Sequence, residues 1–205
     1  MLGSVASKLL ALTFDDGPDP RGTPAVLEAL AQAEVTATFF VLAERVEQHP
    51  ELLERVVLAG HDVQIHGYEH LRHPYTPRAD VENDIDRALS VVPATQWRIP
   101  WGHLAPYTQE VAQERGLTVV GWDADTHDWR GDSAEAMLEQ LRLEPGGIVL
   151  AHDGVGAGAR RETAIETARL VGPLVNRARE RGLEPGPLRT PWPTPLPLGN
   201  PNFAA

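Results

Sequence analysis

Two adjacent carboxylates end the first apolar run of the sequence and are its first candidates for chemistry. Asp15 and Asp16 follow Leu-Leu-Ala-Leu-Thr-Phe and precede Gly17-Pro18. Successive side chains of a strand point to opposite faces, so both carboxylates can serve one site only if the strand ends there. The Gly-Pro pair predicts that end. A solvated acidic turn is the alternative interpretation.

Two histidines at a spacing of four residues, His66 and His70, are the second candidates. On a helical turn this spacing places both imidazoles on one side, where they can clasp a zinc-type ion. One aspartate of the pair would complete three ligands with open positions, the pattern of catalytic rather than structural zinc. Such an ion lowers the pKa of a bound water and polarises a carbonyl oxygen, which leaves the second aspartate as general base. Surface histidines also occur at this spacing.

The elements that must position these residues alternate between strand and helix. Strands are predicted at 9–14, 36–42, 63–65, 97–99, 118–122 and 148–151, and helices at 24–34, 50–59, 77–89, 108–115, 133–143 and 162–181. Pro173 is expected to kink or break the last helix. Alternation of this kind implies parallel strands joined by right-handed crossovers, either an open doubly wound sheet or a barrel.

Polar side chains capable of catalysis or metal binding follow five of the six predicted strands. They are Asp15 and Asp16 at the first strand, His66 and His70 at the third, Arg98 at the fourth, where Pro100 also lies, Asp125 and Asp128 at the fifth, and His152 at the sixth. In parallel α/β folds the loops after the strands form one rim. The sequence therefore predicts one site at the carboxyl ends of the strands.

Composition limits the partners of this site. The chain has 205 residues, a formal net charge of −11 and no cysteine, which predicts one domain over 1–205 without disulfides or thiolate metal sites. The acidic balance argues against nucleic acid and anionic membranes as partners. No stretch is long enough to span a membrane, and the start lacks a signal-peptide pattern. The location is accordingly expected to be cytoplasmic, or that of the mature form of a secreted or cell-envelope protein.

The proline-rich tail from about Glu184 is expected to be an extended segment rather than a second domain, with Trp192 pinning it to the surface.

Five motifs occur in the order and spacing of one known family. They are Thr-Phe-Asp-Asp-Gly-Pro, His-x-x-x-His, Arg-x-Pro-Trp-Gly, Asp-Thr-His-Asp-Trp and Leu-Ala-His-Asp. From about Lys8 to Leu188 the chain resembles the polysaccharide deacetylases, the NodB-homology domains of carbohydrate esterase family four. This resemblance implies an α/β fold, a distorted and incomplete (β/α) barrel of about seven parallel strands. A chain shorter than the ~250 residues of a full eightfold barrel agrees with it.

The resemblance also implies roles for the first motifs. Asp15 would be the catalytic base, and Asp16, His66 and His70 would hold one divalent metal ion, zinc in the first place, with cobalt and nickel as alternatives. Arg98 would pair with Asp15 and keep it ionised, because a neighbouring cation favours the charged form of a carboxylate. One departure is Gly67, which stands where the family usually has Ser or Thr.

The remaining motifs would complete the reaction. By the same resemblance, the backbone N–H of Trp101 would stabilise the oxyanion. His152 would protonate the leaving amine, with Asp128 orienting its ring. Leu150 and Trp129 would wall the acetyl pocket, and Pro100 would contribute to substrate binding. Tyr68 is a candidate for substrate binding on other grounds: it lies in a predicted rim loop, where its ring could stack on a sugar, and ordinary aromatic burial is the alternative.

The resemblance implies removal of acetyl groups from an N-acetylated amino sugar polymer, and the protein is separately expected to be a monomer. Chitin-type oligomers or peptidoglycan are the favoured substrates, ahead of acetylxylan. One alternative is a small-molecule amidase on the same fold, and another is a catalytically inactive sugar-binding barrel. A phosphotransferase would need Asp-x-Asp, whereas Asp15 and Asp16 are adjacent here.

Overall fold

The computed structural model describes residues 8–189, which form a parallel sheet flanked by helices. The strands are β1 (Leu9–Asp15), β2 (Thr38–Leu42), β3 (Asp62–Gly67), β4 (Gln96–Trp97), β5 (Thr118–Val119), β6 (Ala124–Asp125), β7 (Ile148–His152) and β8 (Glu184–Gly186). The helices are α1 (Thr23–Gln32), α2 (Ala43–Gln48), α3 (Pro50–Leu58), α4 (Arg78–Val91), α5 (Thr108–Glu114), α6 (Ala134–Gln140) and α7 (Ile165–Glu180).

Strand β1 is an interior strand of the sheet, whose order is β5-β4-β3-β2-β1-β7-β6. All of its pairings are parallel, and β8 pairs with the first half of β1. Every residue of β1 after Leu9 is buried, as expected for a strand covered on both faces. The α/β fold class predicted from the sequence is confirmed.

The position of Arg98 shows that the sheet is curled. Arg98 follows β4, which is separated from β1 by β3 and β2. In a flat sheet these strands would lie about 14 Å apart, since neighbouring strands are spaced by ~4.8 Å. The Arg98 guanidinium nevertheless donates to the side chains of Thr13 and Asp15 on β1. The seven strands therefore form an incomplete barrel, and the choice between barrel and open sheet left by the element order is settled.

Several element boundaries differ from the prediction. The strand predicted over 118–122 is shorter in the structure, where β5 covers only Thr118–Val119, and the separate strand β6, which contains Asp125, lies beyond the predicted run. Helix α2 and strand β6 were not predicted, because six and two residues are too short to display a full period. The segment predicted only as an extended tail begins with β8. Trp192 lies outside the described residues.

Helix α7 continues through Pro173, so of the predicted kink or break at this position the break does not occur. Pro173 is exposed, so the carbonyl of Arg169 that loses its helical partner lies on the solvent side. Neighbouring Leu170, Val171 and Leu174 are buried and hold both halves of the helix against the core. Packing therefore outweighs the local cost of the proline.

Within residues 8–189, none of the helices combines the length and the apolarity that crossing a membrane would require.

Candidate active site

The backbone turns directly after Asp15, and this turn brings both carboxylates to one place. Strand β1 ends at Asp15, and Asp16 adopts a left-handed conformation with φ of 71°. The Nε2 atom of His66 lies 3.9 Å from Asp15 Oδ2 and 3.4 Å from Asp16 Oδ1. The two aspartates therefore face the same imidazole, as the sequence requires if both serve one site.

The two histidines converge, although not on a helical turn as the spacing suggested. His66 lies within β3, Gly67 ends the strand with φ of 131°, and His70 follows in an irregular loop. The ring centroids of His66 and His70 are 5.1 Å apart. The helical geometry was wrong because a glycine with positive φ bends the chain here, so the loop rather than a helix brings the rings together.

The donor set at this point fits a divalent cation. Asp16 Oδ1 is 3.4 Å from Nε2 of both His66 and His70, and the three potential ligand atoms lie within 4.8 Å of one another. Asp16 Oδ1 is buried and accepts no hydrogen bond from any residue in 8–189. Nδ1 of His66 must donate to the carbonyl of Arg98 at 2.8 Å, which leaves the Nε2 lone pair directed elsewhere.

Both imidazoles are neutral at physiological pH, the form that binds metal ions. Burial lowers the pKa of His66 to about 3, with a smaller contribution from His70. Burial likewise lowers the pKa of His70 to about 3, followed by repulsion from His152. One carboxylate and two neutral imidazoles are the ligand types of catalytic zinc-type sites, and a buried carboxylate oxygen without a hydrogen-bond partner fits a cation at this point.

Asp84 on α4 holds the loop between the two histidines. The N–H of Tyr68 donates to Asp84 Oδ2 at 2.9 Å, and the N–H of Glu69 donates to Oδ1 at 2.8 Å. Gly67 brings no hydroxyl that could stabilise this loop, and a Cβ there would crowd Asp84. Burial raises the pKa of Asp84 to about 6, and the two N–H donors limit the rise. Asp84 therefore stays mostly ionised at neutral pH and ties the loop to α4.

Replacing Asp84 with Ala is expected to weaken metal binding by about tenfold to a hundredfold, the usual effect of removing a group that orients the ligands. Calorimetric titration with zinc and thermal unfolding with and without zinc measure this. Asp80→Ala, on the exposed start of the same helix, is the matched control. An equal loss of thermal stability with and without metal, at unchanged zinc affinity, would show that Asp84 only stabilises the fold.

Arg98 is completely buried and holds Asp15 from behind. Its Nη1 donates to Asp15 Oδ1 at 2.8 Å and to Thr13 Oγ1 at 2.7 Å, and its Nη2 donates to the carbonyl of Gly121 at 2.9 Å. The structure corrects the expected electrostatics: burial raises the pKa of Asp15, and the attraction of Arg98 only limits that rise. A carboxylate with a raised pKa is a stronger base than a free aspartate.

His152 and Asp128 form a second pair at the end of β7. Nδ1 of His152 lies 2.7 Å from Asp128 Oδ1, and the His152 N–H donates to Asp128 Oδ2 at 2.9 Å. Burial alone would lower the pKa of His152, but the Asp128 carboxylate outweighs it and the pKa rises to about 10. The pKa of Asp128 remains well below its usual range because His152 and Arg161 offset its burial. His152 is therefore protonated and can supply a proton.

One cleft of about 600 Å³ collects most of the predicted residues. Its walls include Asp15, Asp16, His66, His70, Trp101, Trp129, Leu150 and His152. Arg98 and Asp128 lie behind Asp15 and His152. The volume is within the usual range for small-molecule sites, about 300 to 1,000 Å³.

Two of the predicted substrate-binding residues do not reach the cleft. Tyr68 is only 8% exposed, its hydroxyl donates to Glu47 Oε2 at 2.6 Å, and the Arg87 guanidinium lies 3.6 Å from the centre of its ring. The turn at Gly67 directs Tyr68 away from the site. Pro100 is buried in a single turn of 3-10 helix.

Trp101 has a strained backbone at the mouth of the cleft, with φ of 63°. Left-handed φ values are rare for bulky residues and concentrate at functional sites. Its ring is 4.9 Å from that of His70, and the Arg72 guanidinium lies 3.8 Å from the ring on the outside. The side chain is thus wedged beside a potential metal ligand.

Sequence reasoning missed the residues that hold the His152–Asp128 pair in place. Arg161 lies 3.2 Å from Asp128 Oδ2 and donates to the carbonyl of His152 at 2.9 Å, and the Thr167 hydroxyl donates to Asp128 at 2.6 Å. These side chains come from a loop and from α7, and no motif marks them. The sequence did contain a signal for Asp153, because this residue directly follows His152 at a strand end. In the structure Asp153 accepts a hydrogen bond from Thr23.

A glycine-rich loop after β7 passes close to Asp16. Cβ atoms on Gly154 and Gly156 would overlap the backbone carbonyl and the carboxylate of Asp16, respectively. Arg45 fixes the loop by donating to the carbonyls of Asp16 at 2.7 Å and Val155 at 2.8 Å. Glycines directly after a strand are a sequence signal for such a close backbone approach.

These features define a class of protein. An incomplete (β/α) barrel carries, in one cleft, a buried set of metal ligands between a carboxylate base and a protonated histidine. That combination is typical of metal-dependent hydrolases.

Comparison with known proteins identifies the family. The profile of the polysaccharide deacetylase family matches residues 3–120. A chitooligosaccharide deacetylase of Bradyrhizobium sp. (strain ANU 289) is 35% identical over 191 residues, which are 86% of this chain and 87% of that protein. A Bacillus cereus peptidoglycan-N-acetylglucosamine deacetylase is 33% identical over 173 residues, 80% of each chain. The chain therefore belongs to the polysaccharide deacetylase family, as the motifs predicted.

The fold agrees with that assignment. The crystal structure of a peptidoglycan N-acetylglucosamine deacetylase in complex with 4-naphthalen-1-yl-N-oxidanyl-benzamide superimposes with a TM-score of 0.84 at 27% identity. The superposition covers 94% of this chain and 92% of that one. The expected distorted barrel is thus confirmed over nearly the whole chain.

Proposed function

We propose that this chain hydrolyses the acetamido group of N-acetylated amino sugars in a polysaccharide, of the chitin or peptidoglycan type. The observation that carries the proposal is the arrangement in the cleft. The Asp16, His66 and His70 ligand set has the Asp15–Arg98 pair and the His152–Asp128 pair beside it. Relatives named as deacetylases of chitooligosaccharides and of peptidoglycan N-acetylglucosamine support the same reaction.

Asp16, His66 and His70 would hold one divalent cation, and zinc suits a site of one carboxylate and two imidazoles best. When bound, the cation supplies Lewis acidity, which makes a water more acidic and the acetyl carbonyl more electrophilic. Asp15 then accepts the proton of the attacking water. Arg98 and Thr13 limit the movement of the Asp15 carboxylate, because Arg98 links the two side chains.

Two groups serve the later part of the reaction. The Trp101 backbone N–H is assigned to the oxygen that becomes negative as the tetrahedral state forms. His152, held protonated by Asp128, donates a proton to the departing amine nitrogen. Without that proton the amine would be a poor leaving group. Leu150 and Trp129, both on the wall of the cleft, would enclose the acetyl methyl group.

Acetate release from N-acetylglucosamine oligomers, peptidoglycan and acetylxylan tests the function. Enzyme stripped with a chelator is expected to release no acetate, and re-addition of zinc, cobalt or nickel is expected to restore release from the N-acetylated substrates. Small linear and cyclic amides serve as the comparison set for the alternative amidase. Absence of release from every acetylated sugar with every metal would refute the proposal.

A further inference from the structure

Arg45 on α2 joins the backbone of the candidate metal ligand Asp16 to the glycine-rich loop after β7. Its Nη1 donates to the Asp16 carbonyl at 2.7 Å, and its Nη2 donates to the Val155 carbonyl at 2.8 Å. Because the guanidinium is a rigid planar fork, these two bonds fix the two carbonyls relative to each other. Within residues 8–189, no other guanidinium donates to a carbonyl of Asp16, His66 or His70.

The glycine-rich loop determines which oxygen of the Asp16 carboxylate faces the imidazoles. A Cβ on Gly156 would overlap Asp16 Oδ2, so this oxygen packs against the backbone of the loop. Asp16 Oδ1 instead lies 3.4 Å from Nε2 of both His66 and His70. The position of the loop therefore limits rotation of the carboxylate away from the two histidines.

The backbone of Asp16 also needs support. Its φ of 71° is left-handed, a conformation that is uncommon for residues other than glycine and persists where the surroundings hold it. The Asp16 carbonyl, which Arg45 holds, belongs to this residue. Without that bond the backbone can relax toward a commoner conformation, and the carboxylate would move with it.

A buried carboxylate completes the junction between Arg45 and the loop. Asp19 Oδ2 accepts the N–H of Val155 at 3.1 Å and lies 3.6 Å from Arg45 Nη1. The side chain of Asp19 is 4% exposed and that of Arg45 is 24% exposed. Arg21 also pairs with Asp19, at 3.0 Å, but its own side chain is 56% exposed. Arg45 is thus the arginine of this cluster that reaches inward to the site.

The charge of Arg45 opposes the ion that the ligands would hold, because like charges repel. That charge acts at the ligand cluster: after burial and His152, it contributes to the low pKa of His70. A guanidinium at this position therefore favours metal binding only if its hydrogen bonds contribute more than its charge costs. The two contributions have opposite signs, so metal affinity can distinguish them.

We propose that Arg45 is a positioning residue for the metal site. Its two bonds hold Asp16 and the glycine-rich loop so that Asp16 Oδ1 faces both imidazoles, and this gain in ligand geometry exceeds the repulsion from its charge. The inference rests on the proposed function, which requires the metal site, and adds to that site a residue that lies outside the motifs.

Two substitutions separate hydrogen bonding from charge. Arg45→Met removes both and is expected to weaken zinc binding by about tenfold to a hundredfold, the usual effect of losing a group that orients ligands. Repulsion alone predicts tighter binding instead. Arg45→Lys keeps the charge but lacks the fork, and is expected to bind zinc at least as weakly. Calorimetric titration of zinc into the metal-free proteins measures this. Wild-type affinity in either variant, or tighter binding by Arg45→Met, would overturn the proposal. If Arg45→Met does not fold, Arg45→Lys alone decides.

Arg21→Met is the matched control, because it removes a guanidinium from the same Asp19 carboxylate without touching Asp16. Exposed ion pairs contribute little, so its zinc affinity is expected to equal that of the wild type. Thermal unfolding with and without zinc identifies a merely structural role for Arg45. Equal losses of melting temperature in both states, at unchanged zinc affinity, would contradict the assignment.

A spectroscopic measurement reports on the geometry itself. The visible absorption of bound cobalt depends on the arrangement of its ligands. Cobalt-saturated Arg45→Met is expected to differ from the wild type in band position or intensity, whereas Arg21→Met is expected to match it. Identical spectra for all three proteins would argue against a positioning role.

Metal binding separates this inference from the proposed function, because neither the zinc titration nor the cobalt spectrum needs a substrate. Weaker zinc binding and an altered cobalt spectrum in Arg45→Met support the inference even if no acetate is released from any sugar. Equal affinities and spectra in Arg45→Met and the wild type refute it even if the enzyme deacetylates every N-acetylated substrate.

Discussion

Replacing Asp15 with Asn is expected to lower kcat for acetate release by about a thousandfold, within the usual contribution of a general base. Asn cannot take a proton from the attacking water, yet it fills the same space and can still accept a hydrogen bond from Arg98. Arg98 also retains its bonds to Thr13 and to the carbonyl of Gly121, so the variant is expected to fold. Steady-state kinetics together with elemental analysis of bound zinc measure both results.

The zinc content distinguishes loss of the catalytic base from loss of a metal ligand. Asp15→Asn is expected to keep a full equivalent of zinc, and Asp80→Asn, which alters an exposed carboxylate on α4, is expected to keep both zinc and activity. Loss of zinc from Asp15→Asn to the same degree as from a ligand variant would show that the roles of the two aspartates have been assigned wrongly.

Replacing His70 with Ala is expected to remove the metal ion itself and with it nearly all turnover. Loss of a group that only orients a ligand weakens metal binding by about tenfold to a hundredfold, so loss of a ligand is expected to exceed about a hundredfold. The remaining Asp16 and His66 would leave two ligands for the cation. Zinc affinity, measured by competition with a chromophoric chelator, is the direct readout.

His103→Ala provides the matched control, because His103 lines the same cleft but does not belong to the ligand cluster. It is expected to bind zinc as the wild type does, whatever its effect on the Michaelis constant. If His70→Ala retained wild-type zinc affinity, the ligand set would have to be sought elsewhere in the cleft.

Local signals account for the parts of the fold that the sequence predicted well. The apolar run before Asp15 forms the buried interior strand β1, and the Gly-Pro pair follows its end. Ser133 caps α6 as predicted, accepting the N–H of Ala136. In each case a few neighbouring residues determine the outcome. Because the motifs lie at strand ends, the family resemblance also located the cleft before any geometry was available.

The remaining features depend on residues far apart in the chain. The spacing of His66 and His70 suggested a helical turn, whereas Gly67 and the distant Asp84 determine the loop that carries them. The same bend directs Tyr68 toward Glu47 rather than into the cleft. The raised pKa of Asp15 depends on how completely the fold encloses it. No periodicity or motif records such distances, so these features required the structure.

The glycine-rich loop passes so close to Asp16 that a substitution at Gly156, which itself has no reactive group, is expected to impair activity. Any side chain at Gly156 would collide with the carboxylate of Asp16, so the loop or the aspartate would have to shift. A descendant of this gene could therefore become inert through one substitution while every residue assigned to chemistry remained intact. An inspection limited to the catalytic and metal-binding aspartates and histidines of a homologue would therefore overlook this loss of activity.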